Sequence, residues 1–410
     1  MKRMNNARIL IYSHDTFGLG HLRRCRAIAH ALVERFKGLT VLIISGSQIA
    51  GAFDFKARVD FVKIPSVIKP YSGDYTSISE HISITDTLTM RKSLILETAH
   101  VFDPNIFIVD KEPMGLHNEV EPTLRSLKEA GCTNVLGLRD VMDSPALLKE
   151  EWDKKNVTDK IAELYDDIWV YGSKDFWNPL QDIDIPQQVT DKLKYSGFLK
   201  REMQTPTHPL RHDLPEDYLL VTAGGGGDGA DIMSWVLSAY EHDKALNMPL
   251  VLVTGPFMKS EQHEQIQQRA SELENVSVIE FDNEIESIMG GATAIVGMCG
   301  YNTFCEIVSF DKPALFIPRT HPREEQLIRA SRAAELGVAG FITPDEAKDP
   351  NQMSEALNAL LTASTPSKAD WDCDLSGLDW IGTRIETILS DTNEEAVSKF
   401  SRNPQSIQPA

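Results

Sequence analysis

The sequence predicts an α/β protein made of two Rossmann-like domains whose parallel sheets face a central cleft. Three observations predict it. Short apolar runs alternate with amphipathic stretches along nearly all of the 410 residues. The alternation stops at Phe198–Pro215, which is proline-rich and lacks periodicity, and then restarts. Charge divides there too: residues 1–200 carry 26 basic and 27 acidic side chains, and residues 201–410 carry 15 and 33. A boundary near residue 205 gives domains at 1–204 and 205–390, followed by a disordered tail at 391–410.

In the first domain, Arg8–Ser13, Thr40–Ser45, Asn105–Asp110, Asn134–Leu138 and Asp167–Tyr171 read as strands apolar enough to be covered on both faces. His21–Phe36 and Glu119–Ala130 carry helical periodicity. Tyr71–Met90 is rich in Ser and Thr and reads as a long loop over the cleft. In the second domain the strands are Tyr218–Thr222, Leu250–Thr254, Val276–Glu280, Ala294–Val296 and Ala314–Ile317. The helices are Asp231–Glu241, Glu261–Leu273, Thr303–Ser309, Arg323–Leu336 and Asp379–Leu389.

A formal net charge of −19 argues against nucleic acid as a partner and against polybasic attachment to lipid. No apolar run approaches the roughly 18 residues of a membrane span. The N-terminal apolar stretch, Ile9–Tyr12, is too short for a signal-peptide core. Cys25, Cys132, Cys299, Cys305 and Cys373 form no CxxC pair, so cytoplasmic thiols are expected, with no disulfide framework and no metal site.

Two turns carry the chemistry. The first strand ends in His14-Asp15-Thr16-Phe17-Gly18-Leu19-Gly20-His21. Gly18 and Gly20 allow a tight turn and close ligand approach, and the helix behind them offers free N–H groups to an anion. Arg23 stands where a dinucleotide fingerprint needs its third glycine, so NAD and FAD are not expected. His21 on that turn is a candidate general base. Arg23 and Arg26 share a helix face and Arg24, a candidate substrate contact, points elsewhere; a solvated basic face is their plain alternative. Asp110 and Glu112 follow a strand and are secondary acid/base candidates, whereas Asp140 reads as a solvated loop residue or a cap.

The second turn lies in the acidic half. Gly224, Gly225, Gly226 and Gly227, with Asp228 and Gly229, follow a core strand directly and suit a phosphate or a close interdomain approach. Further on, Gly300-Tyr301-Asn302-Thr303 opens a helix carrying Glu306. There the Asn302 and Thr303 amides can receive a diphosphate, and Glu306 two ribose hydroxyls. Taken alone, Glu306 would more often be a surface ion-pair partner.

Together these residues resemble the MurG-like glycosyltransferases of the GT-B fold. The pattern is Gly300–Thr303, Glu306, Pro313, Pro318 and the pair Glu325-Gln326. The resemblance runs from Arg8 to about Leu389. It implies that Phe281 and Asp282 border the base, that Glu306 binds ribose, and that Glu325 and Gln326 meet the donor sugar. It also implies that Arg201 reaches the diphosphate. Two departures stand out: Gly227 and Asp228 occupy the places of a Ser and a Gln, and Glu325 replaces a Gln. The turn Gly18–Cys25 is also similar to that of the UDP-sugar hydrolase of pseudaminic acid synthesis, whose matching histidine acts on water.

The resemblance implies an inverting glycosyltransferase with a nucleotide-sugar donor, a UDP-sugar first among them, and no other cofactor. Glycan, lipid-linked and small-molecule acceptors all stay open, as does peripheral membrane contact. The alternatives are a UDP-sugar hydrolase, a noncatalytic sugar-nucleotide-binding protein and, behind them, an epimerase of related architecture.

Overall fold

The computed structural model describes residues 2–15, 19–68, 75–78, 81–203, 213–344 and 348–401. The first sheet has seven strands: β1 (Lys2–Ser13), β2 (Phe36–Ser45), β3 (Val59–Lys63), β6 (Ile106–Asp110), β7 (Thr133–Arg139), β8 (Asp167–Tyr171) and β9 (Leu193–Tyr195). A short antiparallel pair, β4 (Val67–Ile68) and β5 (Thr76–Ser77), stands apart from it. The second sheet has six: β10 (Leu219–Thr222), β11 (Leu250–Val253), β12 (Val276–Ile279), β13 (Ala294–Gly297), β14 (Ala314–Phe316) and β15 (Gly340–Phe341).

Both sheets are parallel, with orders β3-β2-β1-β6-β7-β8-β9 and β12-β11-β10-β13-β14-β15. Each order reverses once, between β1 and β6 and between β10 and β13. Ligands of open α/β sheets bind beyond the carboxyl ends of the strands at such a reversal. Burial follows from the helix layers: every residue of β6 and of β8 is buried, because neither face meets water.

The helices that matter here are α1 (Gly20–Arg35), α2 (Ile84–Phe102), α3 (Glu121–Glu129), α4 (Pro145–Lys155), α5 (Val157–Leu164) and α6 (Gln187–Lys192) in the first domain. The others are α7 (Ala230–His242), α8 (Ser260–Ser271), α9 (Ile285–Gly291), α10 (Tyr301–Phe310), α11 (Glu325–Glu335), α12 (Pro350–Leu361) and α13 (Gly377–Ser401). Among the described residues, no helix is long and apolar enough to cross a membrane.

Three expectations are corrected. The loop expected at Tyr71–Met90 ends in α2, whose N-terminus Ser83 caps by accepting from the Asp86 amide at 3.0 Å. The tail expected from residue 391 is helical as far as Ser401; the remainder lies outside the described residues, as do 204–212 of the linker. Helix α13 does not stay with the second domain but packs on the first. Arg35 donates to the Asp379 carbonyl and to Thr383 Oγ1, both at 2.9 Å, and the Trp380 ring meets Trp169 edge-on at 5.9 Å.

The chain therefore crosses between the domains twice, side by side. The Phe198 amide donates to the Asp374 carbonyl at 2.7 Å, and the Gly377 amide to the Phe198 carbonyl at 3.1 Å. Phe176 and Phe198 from one side pack on Phe304 and Trp371 from the other, with ring centres 5.2–5.9 Å apart. The apolar core is thus continuous through the crossing.

Candidate active site

Both sheet reversals open onto one cavity of about 200 Å³ between the domains. Leu19–His21, Arg23, Arg24 and Arg139 line it from the first domain. The second domain supplies Gly224–Asp228, Gly300–Thr303, Arg319, Glu325 and Gln326.

On the first-domain wall, His21 and Asp110 meet although 89 residues separate them. His21 Nδ1 lies 2.5 Å from Asp110 Oδ2. Arg24 grips the same carboxylate with Nε at 2.8 Å and Nη2 at 2.6 Å, and its guanidinium lies over the Tyr301 ring. Although burial works against ionisation, the Arg24 cation and the His21 bond hold Asp110 well below the usual carboxylate range. Burial also pushes His21 below the ordinary imidazole value, against the pull of Asp110. A neutral ring donating Nδ1–H to an ionised Asp110 keeps Nε2 as a lone pair on the side away from Asp110.

Arg24, expected to bind substrate, is therefore committed to Asp110, and none of the three helix arginines forms a solvated basic face. Arg26 is buried under the Phe53 ring. Arg23 crosses to the second domain, donating to Glu306 at 2.6 Å and Glu286 at 2.8 Å. Glu112 does not join the dyad. It pairs with Lys111 at 3.0 Å and lines a separate cavity of about 400 Å³ with His14, Tyr75, Trp152 and Arg323. Asp140 is neither solvated nor a cap: it is fully buried and paired with Arg329 of α11 at 2.7 and 2.8 Å.

On the second-domain wall, α10 begins at Tyr301, and its first intrahelical bond runs from the Phe304 amide to the Gly300 carbonyl. The amides of Tyr301, Asn302 and Thr303 are the unpaired donors of its first turn. The glycine loop is held against the next strand's loop. Gly226 has φ +89°, and a Cβ there would overlap the Thr254 carbonyl. Gly225 and Gly227 lie beside it on the cavity wall.

Phe281, Asp282, Thr303 and Glu306 line a slot of about 30 Å³ next to the main cavity, with Arg23 bordering both. Arg201 does not enter the main cavity. Its Nη2 donates to Asn302 Oδ1 at 2.7 Å, and Asn302 in turn donates to the Gly20 carbonyl at 2.9 Å. Gly18 lies outside the described residues.

Sequence reasoning missed Arg319 and Arg139. Arg319 donates to Asp228 at 2.7 Å and to Glu325 at 2.8 Å, while Gln326 Oε1 accepts from its amide. The two acids that depart from the resembled pattern are thus joined through one cation. That cation was the available signal: two added carboxylates on one cavity wall call for one.

The model of the glycosyltransferase family 28 C-terminal domain matches residues 219–373. A UDP-N-acetylglucosamine--N-acetylmuramyl-(pentapeptide) pyrophosphoryl-undecaprenol N-acetylglucosamine transferase of Finegoldia magna is 23% identical over 252 residues. The match takes in 58% of this chain and 66% of that enzyme, just under two thirds of its length. An uncharacterized glycosyltransferase of Methanosarcina mazei is 23% identical over 350 residues, 80% of this chain and 85% of that protein. The crystal structure of Acinetobacter baumannii MurG superposes with a TM-score of 0.55 at 13% identity, covering 92% of this chain and 99% of that one. Residues 219–373 thus resemble the glycosyltransferase family 28 C-terminal domain, and the whole chain has the MurG-like GT-B fold.

Proposed function

We propose that this chain is an inverting glycosyltransferase that moves a sugar from a nucleotide-diphosphate-sugar, a UDP-sugar first, to a hydroxyl acceptor. The observation that carries the reading is the His21–Asp110 dyad opposite the first turn of α10, whose amides make no hydrogen bond among the described residues. The acceptor hydroxyl gives its proton to His21 Nε2, and its oxygen bonds to the anomeric carbon. The bond from that carbon to the diphosphate breaks, the electron pair leaves with the nucleotide diphosphate, and the carbon inverts. Asp110 orients the ring and stabilises the imidazolium that forms; Arg24 positions Asp110. The amides of the first turn of α10 meet the diphosphate beside the glycine loop, and Glu306 meets the ribose. The reading calls for no cofactor beyond the donor. It places the chain in the cytoplasm, at the inner membrane face if the acceptor is lipid-linked.

A cavity of about 200 Å³ falls short of the roughly 300–1,000 Å³ typical of ligand pockets. Arg23 stands between it and the slot at Phe281. Donor entry therefore requires Arg23 to release Glu306 to the ribose.

The test follows diphosphate release from UDP-, GDP- and dTDP-sugars with and without acceptor extracts. Acceptor-dependent release supports transfer, equal release in water alone overturns it in favour of hydrolysis, and binding without turnover favours a noncatalytic protein. His21→Ala should abolish turnover and keep nucleotide affinity; an undiminished rate removes His21 from the chemistry.

A further inference from the structure

Four arginines line the cavity between the domains: Arg23, Arg24, Arg139 and Arg319. Three are committed to carboxylates. Arg23 holds Glu306 and Glu286, Arg24 holds Asp110, and Arg319 holds Asp228 and Glu325. Arg139 differs. It is the last residue of β7 and enters from the first domain. Its side chain has no hydrogen bond or ion pair with any described residue, and its Nε is buried without a partner among them. Its strongest opposite charge is Glu325, across the cavity, where Oε1 already accepts from Arg319 and Oε2 has no partner.

Burial first, then the nearby Arg24 and Arg329 cations, pull the Arg139 guanidinium down to about 10 against the attraction of Glu325. A desolvated cation without a partner is unfavourable unless a ligand anion offsets it. On the opposite wall Arg319 is already held by Asp228 and Glu325, so what that wall offers such an anion is chiefly the neutral amides of the first turn of α10. Arg201, the cation expected there, is held behind Asn302.

We propose that Arg139 is the cation that meets the donor's diphosphate, so that the first domain supplies a leaving-group contact to a site otherwise built by the second. The proposal rests on the donor reading above. As the bond to the anomeric carbon breaks, its electron pair passes to the bridging phosphate oxygen. Negative charge grows within reach of a forked, permanently charged donor. Arg139 transfers no proton. It strengthens the diphosphate contact as charge develops, and it makes departure of the product depend on both domains.

The experiment compares the full chain with its Arg139→Met and Arg139→Lys variants by calorimetric titration with UDP, GDP, dTDP and the matching nucleosides. For the diphosphate that binds best, R139M should weaken affinity by about ten- to a hundredfold. Nucleoside affinity should stay the same, the salt dependence should become shallower, and R139K should recover part of the loss. Equal diphosphate affinity in R139M and the parent overturns the proposal while the donor reading stands. A parent chain that binds none of these nucleotides overturns the donor reading itself.

A second measurement needs no variant. Phenylglyoxal should modify Arg139 in the parent, and bound diphosphate should protect it, as mapped by peptide mass spectrometry. Equal modification with and without diphosphate also overturns the assignment.

Discussion

At His21, the state of one proton decides what the site can do. The ring is buried enough to stay neutral below the ordinary histidine value, and Asp110 is held ionised by Arg24. As the proposed base, His21 is competent above its folded pKa and is lost on protonation. The acid limb of kcat should therefore fall below the ordinary histidine range, near 6.5, with turnover flat above it. A limb centred above that value would contradict a desolvated base.

Asp110→Asn should cost about 10²- to 10⁴-fold in kcat, since the ring loses its orienting carboxylate, with diphosphate affinity preserved. Steady-state kinetics beside calorimetric titration separates the two. Arg319 makes a related point about charge. Replacing Glu325 by Gln removes one of the two carboxylates that hold Arg319, so nucleotide-sugar selectivity should shift; competition among donor sugars would register it.

At the scale of elements, the glycine loop carries the sharpest constraint. Gly226→Ala meets both a left-handed backbone and the Thr254 carbonyl, so the loop must shift and diphosphate affinity should fall by an order of magnitude or more. Titration against the parent checks it.

The elements themselves were legible wherever burial and periodicity agree, as in β6, β8, α10 and α11. Helix α2 was not. Its buried stripe is Thr87, Arg91, Ile95 and Ala99, and it leaves Met90, Leu94 and Val101 exposed, which inverts the usual hydrophobic pattern. Arg91 can occupy that stripe because Glu119, from another segment, takes its Nε–Nη2 edge and the Pro65 carbonyl accepts from Nη1. The turns that face the cavity were legible because glycine and helix-start residues announce themselves locally. The pairs that span it, Arg23 with Glu306 or Arg329 with Asp140, join residues 283 and 189 apart and leave no local trace.

For the whole molecule, the Asp140–Arg329 pair is the tie to break. Both side chains are fully buried, one in each domain. Arg329→Met strands a buried carboxylate and should lower stability by about 3–5 kcal/mol. The double change Asp140→Leu with Arg329→Met should recover much of that loss; urea unfolding of the three chains gives the comparison.

The paired crossing at Phe198 and Gly377 sets how the halves can move at all. A Cβ at Gly377 would stand 2.7 Å from the carbonyl oxygens of Gly197 and Phe198, so the two covalent strands lie as close as backbones can. Two strands fastened side by side act as a pin, leaving one axis of rotation where a lone tether would leave three. Every contact bridging the cleft must then engage or release along a common arc. If the proposed function holds, loading and discharge of the site would be phases of one swing.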